Sequence, residues 1–535
     1  MLLALALLAC SADESDKSRG GADSTSGVDT TDSGAPTGDT VVDERVDAMA
    51  DSVSFAALEP HLLAWQRIAD DNGGNRAAGT DGYAASVDYA AGVLEAAGYA
   101  VERYPFDLTW IEVRSSELEV GGEAIEDYSV MYGSGAGDIT APLTGVDLLL
   151  PPSDEVDSTS GCEPEDFDGF PAGNIALIQR GTCFFIDKVD NAVSAGASAV
   201  ILFNEGNSGR TETLEGVIDS ERLADIPVLG VSFTSGEAWA TEDPGEVHVA
   251  VDTERITQDS WNVFAETTGG SSDHVVLLGG HLDSVPAGPG VNDDGSGAAF
   301  VLAFAEAAAA SGLAGSVRFG FALWGAEELG LIGSSIWVSD MAATDPAKLD
   351  RIDAYLNFDM LASPNGVPFV YDGNNDAGFA LFPPVSSPPG SGPIEKSFER
   401  ALQRDGVEAV PVSAGVPSDS LPFQEVGVPT GGLFSGASNN KTSSEADEWG
   451  GDAGVEYDVC YHQECDGMAN LDVRLYEALA RAGAAVATEL ALDAAPAGPP
   501  ADRADWRTGP RDEALPRKHD HGPGRHCGGE ALPHR

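Results

Sequence analysis

His281 and Asp283 stand two residues apart at the end of the apolar run HVVLLGG, over 274–280. In an extended backbone this spacing puts both side chains on one side of the chain. An imidazole with a carboxylate beside it is a ligand with its orienting partner, the usual arrangement behind a metal-bound histidine. Twelve residues after His281, Asp293 follows Asn292 in VNDDG, a glycine-rich turn that opens a helix. Glu327 and Glu328 are adjacent after VRFGFALW, Asp359 follows AYLNF, and His462 lies between Cys460 and Cys465.

These residue types suit zinc, which takes imidazole and carboxylate ligands and keeps a position for water in catalytic sites. Two-metal sites hold their ions about 3.5–4 Å apart and need a carboxylate that both can share. The paired glutamates allow a division of labour, with one on the metal and its neighbour serving the water as a base. An isolated HxD or EE is ordinarily a solvated surface pair. The set gains its meaning from recurrence, because its members follow apolar strands or sit in a tied loop. His61, His248 and His274 are read as structural or surface residues.

The elements that must position this set follow from periodicity. Leu58 to Ala69 and Tyr83 to Ala97 carry helical stripes separated by DNGGNRAAG. Residues 101–135 alternate like strands. Residues 140–256 form a block of strands alternating with helix, namely ALIQR, FFIDKVDNAVSAGA, SAVILFN and IPVLGVS, which reads as a small α/β unit. A second α/β pattern begins at 259, with a helix over 295–311, strands over 317–324 and 354–358, and a closing helix over 471–492. The chemistry-bearing residues fall where strands end, the edge at which open α/β sheets bind ligands.

In their order and wording, several segments resemble a known family, the co-catalytic zinc aminopeptidases of the Streptomyces aminopeptidase and yeast aminopeptidase Y type. They are DNGGNRAAGTDGYAASVDY, GGHLDSVPAGPGVNDDGSGAA, LWGAEELGLIGS, YLNFDM, SDSLPFQEVGVPTGGLFSG and CYHQECD. They cover about residues 58–135 and 259–492. The segment GNIALIQRGTCFFIDKVDNAVSAGASAVILFNEG resembles a protease-associated (PA) domain.

The resemblance implies a three-layer α/β/α zinc-peptidase sandwich with a mixed sheet, plus a smaller inserted α/β PA domain. It implies two zinc ions per chain. Asp293 would bridge them, His281 and Asp359 would complete one site, and Glu328 and His462 the other. Glu327 would be the general base, Asp283 would orient His281, and Tyr461 would help hold the oxyanion. The substrate would be a peptide or protein with a free N-terminus. Two positions depart from close relatives. Pro417 stands where an arginine precedes Ser418-Asp419, and Glu477 and Arg481 stand near the places of a relative's calcium-binding aspartates, so the resemblance does not extend to calcium.

The chain has 535 residues, 42% of them hydrophobic, and a formal net charge of −60 from 88 acidic against 28 basic residues. That charge excludes nucleic acid as a natural partner. The start, MLLALALLAC, resembles a lipoprotein signal ending at Cys10, which predicts export and a lipid anchor as the sole membrane contact. In an exported chain Cys162 with Cys183, and Cys460 with Cys465, read as two local disulfides. The expected divisions are a signal over 1–10, a disordered tether over 11–50 and peptidase over 51–135. A PA insert follows over 136–258, then peptidase over 259–495 and a disordered tail over 496–535.

Overall fold

The computed structural model describes residues 38–492 except 154–155, 208, 220–221, 243, 314 and 378–384. Cys10, most of the tether and the tail beyond 492 lie outside the described residues. Where the tether was expected to continue to residue 50, a helix Gly38–Ser52 begins instead. Its Val46, Met49 and Ala50, with Val53 just beyond, are buried in the main core. Their spacing of three, four and seven residues is that of one helical face, a stripe too short to stand out from the polar run before it.

The larger half centres on the strand Ser271–His281, flanked in parallel by Val317–Trp324 and Ile352–Phe358. Thr430–Phe434 continues the parallel set beside Ile352–Phe358. Alternate residues of these strands enter two different cores. Val276, Leu278, Phe319, Phe321, Leu356 and Phe358 join one, against the helices Gly295–Ser311 and Val473–Leu492. Val275, Leu277, Trp324, Ile352 and Tyr355 join the other, with Trp337 and Phe423. Strands covered on both faces read as near-continuous apolar runs, as these do. The result is helix, sheet, helix, with antiparallel neighbours making the sheet mixed. Tyr355 stacks on Phe423 with ring centroids 4.1 Å apart, and each fully buried large side chain contributes about 1.5–3 kcal/mol.

The strands Gly137–Val146, Ile175–Gln179, Ala199–Phe203 and Val228–Val231 build the smaller α/β unit with its own apolar clusters. One strand, Glu246–Glu266, belongs to both halves. Its first part pairs with Gly137–Val146 and its last part with Val317–Trp324. Val101–Val120 runs antiparallel along nearly all of it. The sequence division at 258 and 259 therefore falls inside a continuous strand. Alternating apolar character does not mark such a joint, because the backbone pairing continues through it. Both disulfides are present, with Cα atoms 5.8 Å apart for Cys162–Cys183 and 5.2 Å for Cys460–Cys465. Among the described residues no helix is long and apolar enough to cross a membrane.

Candidate metal centre

The strand register decides what meets at the carboxyl edge. His281 ends its strand opposite Trp324, and Gly279 lies opposite Asn357. The residues just past these strands, Glu327, Glu328 and Asp359, therefore emerge beside His281. The turn with Asp293 folds under them. Asp294 is the N-cap of the helix Gly295–Ser311, accepting from the Gly297 N–H at 2.9 Å. The other carboxylate oxygen of Asp294 accepts the His281 N–H at 3.0 Å, which ties the turn to the strand end.

Two groups of possible metal ligands result, His281 with Asp293 and Asp359, and Asp293 with Glu328 and His462. Asp293 is common to both, and its two oxygens divide between the two imidazoles. Oδ1 lies 3.3 Å from His281 Nε2, and Oδ2 lies 3.2 Å from His462 Nε2. His462 Nε2 is also 3.0 Å from Glu328 Oε2. His281 Nε2 is 3.7 Å from both Asp359 Oδ1 and Glu327 Oε2.

His281 Nδ1 bonds to the main-chain oxygen of Asp283 at 3.1 Å. The Asp283 carboxylate is 3.6 Å from that nitrogen, too far for a hydrogen bond. It instead accepts the N–H groups of Glu327 and Glu328. His462 sits at a φ of 58° in the loop closed by Cys460 and Cys465, and the Tyr461 ring stacks on it at 3.8 Å.

Several residues without a role in the sequence reading hold this arrangement. Ser418 Oγ donates to Asp359 Oδ2 at 2.6 Å and accepts from Asn357 Nδ2 at 2.7 Å. Asp466 accepts the N–H groups of Asn292 and Asp293, each at 3.0 Å. Arg76 is fully buried. Its guanidinium donates to the carbonyls of Leu282, Pro289 at 2.9 Å and Gly290 at 2.6 Å. Burial brings Arg76 down to about 10, opposed by Asp283, Asp466, Asp294 and Asp293. Arg76 and Asp466 stand inside the quoted DNGGNRAAG and CYHQECD segments, but nothing in residue type alone shows what they reach. His61, His248 and His274 lie elsewhere, against Tyr89 and Glu306, Asp138, and Asp353 respectively.

Crowding leaves its mark on proton affinity. Burial drives Glu327 well above the usual carboxylate range, with Asp359 and Glu328 adding to it and His281 opposing. Burial takes Glu328 to about 7, reinforced by Asp293. Burial alone would lower His281, yet Glu327, Asp283, Asp293 and Asp359 hold it well above its ordinary value. Burial also raises the Tyr461 hydroxyl, so it remains a neutral donor. Packing this many carboxylates out of water is costly without a counter-cation. Glu328 Oε1 is buried without a hydrogen-bond partner. Two imidazoles among carboxylates suit zinc better than magnesium or calcium, which prefer oxygen ligands throughout.

Residues 262–487 match the model of peptidase family M28, and residues 139–239 match the PA domain model. An aminopeptidase of Pseudomonas aeruginosa is 43% identical over 439 residues, 81% of this chain and 80% of that one. The chain belongs to peptidase family M28. A second relative, a probable lipoprotein aminopeptidase of Mycobacterium tuberculosis, is 37% identical, covering 85% of this chain and 87% of its own. In fold, this M28 chain is similar to an aminopeptidase from Aneurinibacillus sp., with a TM-score of 0.64 at 23% identity, over 85% of this chain and 97% of that one. It is also similar to a zinc aminopeptidase from Bacillus subtilis, with a TM-score of 0.55 at 23% identity, over 80% and 94%.

Proposed function

We propose that the chain is a zinc-dependent aminopeptidase that hydrolyses the N-terminal peptide bond of peptides or proteins. The observation that carries this is the sharing of Asp293 between two ligand groups, beside a further carboxylate, Glu327, in a chain with M28 relatives named aminopeptidases. His281 and Asp359 would hold one zinc, Glu328 and His462 the other, and Asp293 both. Zinc bound there would lower the pKa of a water to near neutrality and polarise the scissile carbonyl.

The chain's own residues supply the rest. Glu327 takes a proton from the water and returns it to the leaving amine. Tyr461 donates its hydroxyl to the oxyanion as charge develops. Asp283 keeps His281 in the tautomer with Nδ1 protonated, leaving Nε2 as the ligand atom. The ring of carboxylates favours a free amino terminus over a terminal carboxylate. Arg76, the cation buried beside them, has its guanidinium on three main-chain carbonyls and is not presented to a substrate.

Hydrolysis of leucine p-nitroanilide and its N-acetylated form tests this reading. The free amine is expected to be cleaved, with a chelator abolishing the reaction, and the acetylated substrate to be left intact. Equal cleavage of both would overturn the amino-terminal assignment. Export with a lipid on Cys10 is supported by the lipoprotein relative and by the two disulfides. A Cys10→Ala change is expected to release the protein from the membrane fraction, and retention would contradict the anchor.

A further inference from the structure

A cavity of about 340 Å³ lies at the opposite edge of the same sheet from the metal cluster. Val275, which lines it, is six residues before His281 on one strand, and pairs with Arg318 and Ile352 at the starts of the neighbouring strands. At about 3.3 Å per residue that is a separation of roughly 20 Å. Its walls are apolar, from Phe264, Val275, Leu277, Trp337 and Ile352.

Three cations and two carboxylates also line it, a local positive excess in a chain with a net charge of −60. Two of the cations are committed. Arg351 pairs through both terminal nitrogens with Glu266 and also donates to the Ser272 carbonyl. Lys348 reaches Glu102 at 3.4 Å. Arg318 approaches Glu266 no closer than 3.6 Å. Its Nε is buried without a hydrogen-bond partner, and so is the indole N–H of Trp337. Two orphaned donors on residues lining one cavity are unusual, because leaving a buried donor unmade is costly. A carboxylate offers about four acceptor sites. An apolar cavity of about 150 Å³ already admits benzene, so this one has room for a ring with a short acidic tail.

We propose that this cavity is a second ligand site, separate from the metal cluster, for a small molecule that joins one apolar ring to one carboxylate. The ring lies on the Phe264, Leu277 and Trp337 wall, and the carboxylate is held by the Arg318 guanidinium. Nothing in this site depends on the peptidase reading.

The probe is 3-phenylpropanoate, titrated calorimetrically into the full chain with its metal bound. 3-Phenylpropanamide serves as the uncharged comparison. One saturable site is expected, with binding at least about tenfold weaker for the amide and for Arg318→Met, since a charge-assisted bond is lost in both. Val275→Phe, which fills the cavity from its wall, is expected to abolish binding. Both variants should hydrolyse leucine p-nitroanilide with the wild-type KM, and the probe should not compete with that substrate. No saturable binding, equal binding of acid and amide, unchanged binding in both variants, or competition with substrate would each overturn the proposal.

Discussion

The carboxylate of Asp283 receives the backbone N–H groups of Glu327 and Glu328, at 3.1 and 3.2 Å, while its main-chain oxygen holds His281 Nδ1. One buried residue therefore sets the imidazole and both glutamates. In Asp283→Asn, the single amide oxygen can accept from one of the two N–H groups, and the NH₂ confronts the other. The expected outcome is a fall in kcat of about 10- to 100-fold with a smaller change in KM, the usual scale for a partner behind a metal ligand. Steady-state kinetics check this, and an unchanged kcat would show that the two N–H bonds do not position the glutamates.

Ser418 bridges Asn357 and Asp359, so its hydroxyl limits rotation of the Asp359 carboxylate. Ser418→Ala should weaken zinc retention by about tenfold. Competition against a chromophoric chelator reads this directly, with zinc loss from one of the two positions expected before the other.

Arg76 is the counter-charge buried beneath the cluster and the tie on the loop 282–290. Arg76→Met removes the guanidinium that lies over the Trp65 ring, orphans three carbonyls and leaves the aspartates unopposed. Breaking a buried charged network in this way costs about 3–5 kcal/mol. Denaturant unfolding should show a lower midpoint, even with saturating zinc.

Lys188 gives a pH test in the smaller unit. It is buried, its ammonium donates to the carbonyls of Ser160 and Gln179, and burial lowers it from 10.5 to about 8. Between pH 8 and 10.5 the unfolded chain holds this proton and the folded chain has released it. Stability from this group therefore rises with pH through that window, by roughly 3 kcal/mol in total. Below pH 8 the cost of burying the charge is fully present. Lys188→Met should lack the rise in thermal unfolding measurements, and an identical slope in both proteins would contradict it.

The candidate metal ligands stand out in the sequence because four follow apolar strands or sit in a cysteine-tied loop, while Asp293 lies in the turn that opens a helix. Parallel register brings His281, Glu327, Glu328 and Asp359 to one edge of the sheet. What supports them was not legible. Arg76 acts through main-chain carbonyls, which carry no residue signature, and Asp466 acts through main-chain N–H groups. The carbonyl of Asp283, rather than its carboxylate, bonds to His281, a choice made by local backbone direction. The helix Gly38–Ser52 was hidden because its apolar stripe is short and follows a polar run. The strand Glu246–Glu266 serves two units, so no break in pattern marks where one ends.

The account stands on two metal ions sharing Asp293, and metal counting by mass spectrometry tests that most directly. Wild-type protein should hold two zinc ions per chain, His462→Ala one, and Asp293→Ala none. Hydrolysis of leucine p-nitroanilide should fall to background in Asp293→Ala. A wild type with a single zinc, or an Asp293→Ala variant that keeps both, would contradict the shared-carboxylate centre.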